Sequence, residues 1–251
     1  MPAHGSAAVS LIFILYAYSG WNAAAYLGGE IDRPQKNLPR ALILGTVIVT
    51  ILYLGMNAFY LYALGVPAMS GVVNVAEQAA AAGFGARVAG MTAALLALCI
   101  LGSASAMILA GPRVYYAMAR DGIFPRGLAA VHRSFGTPAR AMVLQGAWAS
   151  VLIVFFGTFE RLVIYTGFAV TLFAALAVGA LLILRLHRPQ MDRPFKVPLY
   201  PWIPAGYLAV SIWILAYTVV ERPRETALGA LTIAAGLPLY WYRRRSARAV
   251  A

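Results

Sequence analysis

Charge is what this sequence has least of. Of its 251 residues, 11% are Asp, Glu, Lys or Arg, where a soluble domain carries about 25%. A water-soluble chain of this length would bury one large core and still need polar side chains to cover it. Too few are present, so lipid is the expected solvent. The 8 acidic residues are Glu30, Asp32, Glu77, Asp121, Glu160, Asp192, Glu221 and Glu225, and all lie at the ends of apolar runs or between them. An ionisable group at mid-membrane is by default a functional candidate. With none here, a proton-relay carboxylate, paired carboxylates and an intramembrane nucleophile with its base are all excluded, and no enzyme activity is expected. The single cysteine, Cys99, excludes an intramolecular disulfide. His4, His132 and His187 are far apart, so neither a metal nor a cofactor is expected, and the last two read as solvated loop histidines. The N-terminus has no basic region and no small-residue cleavage site of a signal peptide; residues 1–6 read as a short leader.

What is present is hydrocarbon. Apolar residues make up 62% of the chain, in runs free of Asp, Glu, Lys and Arg at 1–29, 41–76, 88–112, 141–159, 162–184, 197–220 and 226–242. Crossing the hydrocarbon core takes about 20 apolar residues in a helix. The runs predict an all-α, multi-pass membrane protein with seven crossings at 7–29, 41–65, 88–112, 140–157, 161–185, 203–220 and 226–242. Gly65 and Pro67 should stop the second crossing. The loop after it, through VNVAEQAAAAGFG (73–85), should hold a short surface helix.

The net charge of +12 is a topology signal rather than a nucleic-acid footprint. With the crossings alternating, 16 of the 20 basic residues fall on one side. They are Arg33, Lys36 and Arg40; Arg113, Arg120, Arg126, Arg133 and Arg140; Arg185, Arg188, Arg193 and Lys196; and Arg243, Arg244, Arg245 and Arg248. Only Arg87, Arg161, Arg222 and Arg224 fall on the other. The positive-inside rule then places the N-terminus outside and the C-terminus in the cytoplasm. Membrane lipids are the expected surroundings, with the cell membrane as the location; nucleic acid is not an expected partner.

The most informative stretch is LYAYSGWNAAAYLGGE, residues 15–30. Tyr18, Ser19, Gly20, Trp21 and Asn22 interrupt the first crossing at its midpoint. Glycine in a helix costs about 1 kcal/mol relative to alanine, and Ser and Asn offer the backbone competing hydrogen bonds. Transporters place broken helices of this kind at the midplane, where they bind substrate. A continuous helix with Gly20 at a close helix contact accounts for the same residues, and on these grounds alone is the simpler reading.

Beyond residue physics, YSGWN (18–22), GGEIDRPQKNLPRAL (28–42), LGSASAMILAGPRVYYAMARDGIFP (101–125), FGTPARAMVLQGAW (135–148), YTGFAVTLFAALAV (165–178) and RPFKVPLYPWIP (193–204) resemble, in order, the second half of permeases of the amino acid–polyamine–organocation superfamily. The likeness is to the branch related to the L-type amino acid transporters. It implies a second five-helix inverted repeat over 1–185, then two accessory helices and a basic tail over 186–251, with the family's first five spans absent. The implied function is amino acid transport by alternating access, as antiport or symport. The alternatives are a non-transporting fragment or a half-transporter completed by a separate first-half chain. By the same resemblance Tyr16 is an aromatic gate, and the carbonyls of Tyr16, Ala17 and Ser19 receive the substrate ammonium. Tyr18 and Gly20 complete the break, Asn22 bonds substrate or braces the backbone, and Trp21 is pocket wall or packing. Arg113 and Arg120, at an inside helix end, read either as gate partners of Asp121 or Glu30 or, more simply, as solvated loop charges. The small residues 102–106 are expected to pack closely, and Tyr165 and Thr166 to be interfacial or to face the pathway.

Overall fold

The computed structural model describes residues 7–26, 28 and 31–248, and every regular element among them is helical. In chain order these are α1 (Ala7–Ala17), α2 (Trp21–Tyr26), α3 (Pro34–Met69), α4 (Val75–Phe84), α5 (Ala86–Arg120), a 3-10 turn (Arg126–Ala129), α6 (Ala139–Phe156), α7 (Phe159–His187), α8 (Trp202–Glu221) and α9 (Pro223–Arg248). Five of them (α3, α5, α6, α7 and α8) are long and apolar enough to cross a membrane. The protein is an all-helical, multi-pass membrane protein. The other two expected crossings coincide with the α1–α2 pair and with α9.

Helix ends depart from the sequence expectation where local chemistry extends them. α3 starts at Pro34 rather than near residue 41, because Pro34 takes the first helical position behind a left-handed Arg33 (φ 45°), where a missing N–H is harmless. The Arg33 carbonyl accepts the Lys36 and Asn37 N–H groups, and Asn37 Nδ2 donates to Asp32 O at 2.7 Å. Gly65 breaks α3 as expected, with φ 71° and ψ 160°. The short surface helix in the following loop is α4.

Contacts divide the chain into two compact units. The smaller, residues 27–110, holds α3, α4 and the first part of α5. In it α4 packs on α3 where Phe59 stacks on Phe84 at 5.5 Å between ring centroids, over Gly83, whose missing side chain makes room for the Phe59 ring. Along α3 no residue is buried. On α5, residues 102–106 are likewise exposed and Gly102 has open space beside it, so the small-residue face expected to pack closely stands bare.

The larger unit, residues 1–26 and 111–251, is built around α7. One face of α7 (Val163, Ile164, Gly167, Phe168, Thr171 and Ala175) is buried, because α1, α8 and α9 all pack on it. Ile12, Val163 and Ile214 form the core, flanked by Leu11, Phe13 and Leu15. Glycine sets two of the approaches. A Cβ on Gly167 would lie 2.7 Å from Ile12 Cγ2, and one on Gly229 would lie 3.1 Å from Phe168 Cδ1. Small residues at helix contacts are how membrane helices gain packing when lipid tails are as apolar as the side chains.

Polar contacts finish this unit. Tyr165 is buried, and its hydroxyl donates to Thr232 Oγ1 on α9 at 3.0 Å. Thr166 Oγ1 turns back to Leu162 O at 2.7 Å. Both side chains are thus engaged within this unit. At the same end, Arg222 pairs with Glu160 at 2.7 Å and Arg161 with Glu225 at 3.9 Å. At the other end of α7, Arg193 folds back over the last turn. Its guanidinium donates to the carbonyls of Leu184, Arg188, Pro189 and Met191 at 2.7–3.4 Å.

Candidate functional site

The first expected crossing, residues 7–29, is broken near its middle. α1 has eleven residues, so at 1.5 Å per residue it spans about 16 Å, roughly half of the ~30 Å hydrocarbon core. Tyr18, Ser19 and Gly20 then form a turn, and α2 starts at Trp21. Gly20 sits at φ 102°, a conformation that a side chain disfavours. The i→i−4 ladder holds at Tyr18, whose N–H donates to Ile14 O at 3.1 Å, and fails at Ser19, whose N–H donates to Tyr16 O at 3.0 Å. It fails again at Ala23, whose N–H donates to Gly20 O at 3.0 Å. The Leu15 and Ser19 carbonyls thus lose the donors that a continuous helix would supply. The simpler reading of an unbroken helix with Gly20 at a contact does not describe this segment.

The break collects the residues that the sequence singled out. Tyr16 lies in the last turn of α1, 39% exposed, and Ala17 ends that helix. Ser19 is exposed and Tyr18 and Gly20 are half-buried. Trp21 opens α2 at 52% exposure, so it is not a packed core residue in this chain. Asn22 has helical backbone in α2, and its side chain lies outside the described residues, as does Glu30.

Chemically the arrangement is a helix C-terminus in the middle of an apolar run. The last carbonyls of α1 point along its axis and carry partial negative charge. Such a group can accept hydrogen bonds from a cation or an ammonium without any ionised side chain. α1 is held in place from behind by the Ile12–Val163–Ile214 core and by the close approach at Gly167, so the broken end sits on a packed support.

The remaining candidates do other work. Arg120 lies over the Tyr116 ring at 5.9 Å and, among the described residues, makes no ion pair with Asp121. Among the described residues no cluster of His, Cys, Asp and Glu could hold a metal ion. Sequence reasoning missed Arg193, which it read as one cation in a basic loop. It also missed the reciprocal pairing of Glu160–Arg222 and Arg161–Glu225; the only signal was opposite charges at matching helix ends.

Comparison with known proteins agrees with this architecture. A family profile described as "Amino acid permease" matches residues 3–237. The human "Cystine/glutamate transporter" is 30% identical over 90% of this chain and 44% of its own length. The "Serine/threonine exchanger SteT" of Bacillus subtilis is 32% identical over 92% of this chain and 53% of its own. The mouse "Large neutral amino acids transporter small subunit 2" is 30% identical over 96% and 44%. This chain spans about half the length of the relatives it matches. The family and these relatives are transporters, not enzymes, and a match over residues 3–237 means that the chain belongs to the amino acid permease family.

Proposed function

We propose that this chain supplies the ammonium-binding half of the substrate site of an amino acid permease that works by alternating access. The carrying observation is the helix break at Tyr18–Gly20, at the middle of the apolar run 7–29. The carbonyls of Tyr16, Ala17 and Ser19 take the ammonium, Tyr16 closes over it, and Tyr18, Gly20, Trp21 and Asn22 shape the pocket. The names of the relatives support amino acids as the substrate class. Residues 1–185 act as one five-helix repeat and 186–251 as accessory helices and tail.

The carboxylate of the substrate needs a second set of donors, because leaving it unpaired at this depth costs several kcal/mol. Those donors come from helices of the family's first half, in the same chain or in a separate one. A deficit of about 4 kcal/mol is roughly a thousandfold in affinity, so residues 1–251 alone should not transport. Radiolabelled amino acid uptake into proteoliposomes tests this, with residues 1–251 alone and with a related permease's first five spans co-reconstituted. Saturable uptake by residues 1–251 alone would sink the half-site reading. In the complemented form, Gly20→Leu should abolish uptake while membrane insertion persists.

The orientation follows from charge. The N-terminus lies outside and the C-terminus in the cytoplasm, since 16 of the 20 basic residues fall on the C-terminal side. The pairing of Arg161 and Arg222 with Glu225 and Glu160 supports this further, because two of the four outside arginines are neutralised locally. Single cysteines at positions 4 and 248, in a Cys99→Ser background, should label from opposite sides; labelling from the same side would refute seven crossings.

A further inference from the structure

The loop that follows α7 has a shape that basic topology alone does not require. α7 leaves the apolar run through Ile183, Leu184 and Leu186, which are 58%, 44% and 75% exposed, and ends at His187. The chain then curls into a ring. Arg193 reaches back with both terminal guanidinium nitrogens to four carbonyls, those of Leu184, Arg188, Pro189 and Met191. This fixes the loop and offsets the partial negative charge of the helix end. A concavity of about 450 Å³ results, lined by His187, Arg188, Pro189, Gln190 and Met191.

The chemistry of the lining is two-sided. Arg193 is consumed by the carbonyls, and Arg185 lies over the Tyr200 ring at 4.1 Å. His187 Nδ1–H is spent on the Ile183 carbonyl at 3.1 Å. Among the described residues the Arg188 guanidinium has no side-chain or carbonyl partner, and no ion pair joins it to Asp192. The Gln190 amide stands beside it, and Pro189 and Met191 form an apolar wall. A planar cation suits a phosphate, and the apolar wall and exposed leucines suit an acyl chain. We propose that this loop is a binding site for the phosphate headgroup of an anionic phospholipid, seated on Arg188 at the membrane end of α7. The site is independent of the transport reading.

The test is native mass spectrometry of residues 1–251 in detergent, titrated in separate arms with dioctanoyl phosphatidylglycerol, dioctanoyl phosphatidylcholine and inorganic phosphate. Phosphatidylglycerol should bind well ahead of the other two. Arg188→Gln should weaken it about fivefold, the share of one juxtamembrane cation, and Arg188→Lys should lose less. Arg224→Gln, at the far end of the unit, should bind as the parent does. Arg193→Gln should weaken binding although Arg188 remains; should that variant fail to purify as a folded species, the two Arg188 variants decide alone. Unchanged phosphatidylglycerol binding in Arg188→Gln, or equal binding of phosphatidylcholine, would overturn the proposal. Equal binding of inorganic phosphate would overturn the lipid source.

Discussion

Replacing Gly167 with alanine isolates the contact that seats the broken helix. The new methyl would lie 2.7 Å from Ile12 Cγ2, roughly 1 Å inside the 3.5–4.0 Å optimum for two carbons. Neither side gives way easily, since Ile12 is 1% exposed and packed against Val163 and Ile214. Overpacking of this kind costs about 1–3 kcal/mol, while alanine in place of helical glycine returns about 1 kcal/mol. Gly179 provides the control: it is on the same helix with nothing within 4 Å of its Cβ position, so Gly179→Ala should show only the gain. The two variants should therefore differ by about 1–3 kcal/mol in SDS-induced unfolding followed by circular dichroism. Ile12→Leu moves the branch off Cβ and removes the offending methyl at constant volume, at a cost of less than about 1.5 kcal/mol. Combined with Gly167→Ala it should recover at least about 1 kcal/mol relative to additivity. Equal stability of Gly167→Ala and Gly179→Ala would refute the reasoning, because the clash would then be relieved at no cost.

Other contacts in the same unit give smaller, separable effects. Tyr165→Phe removes the 3.0 Å bond to Thr232 and should destabilise by about 0.6–1 kcal/mol in the same assay; no change would mean that the hydroxyl is idle. A Glu160→Gln and Arg222→Gln double-mutant cycle should give a coupling of no more than about 1 kcal/mol, because both side chains are more than a third exposed and solvent screens the pair. That coupling should shrink at high salt. Arg193→Gln should raise amide hydrogen exchange across residues 184–193 by losing four carbonyl contacts, and unchanged protection there would show that the loop holds without its guanidinium.

Sequence alone determined where the chain meets lipid. The crossing limits follow from apolar runs, because a backbone in hydrocarbon must satisfy its own hydrogen bonds and so becomes helix wherever side chains permit. The break at Gly65 is legible locally, from Gly65 and Pro67 together; at Tyr18–Gly20 the residues alone favour an unbroken helix, and it is the resemblance to permeases that points to a break. Pro34 extended α3 beyond its apolar run, since proline at a helix start needs no apolar neighbours. Only the tertiary structure decided which side chains meet. Tyr165 and Thr232 are 67 residues apart, and Glu160 and Arg222 are 62 apart. Gly167 becomes important only because α1 arrives at Ile12, while the glycine at 179 on the same helix faces open space. Arg193 reads as one more basic loop residue until the loop curls and brings four carbonyls to its guanidinium. Each of these depends on packing and loop geometry, which a count of charges or a run of apolar residues does not encode.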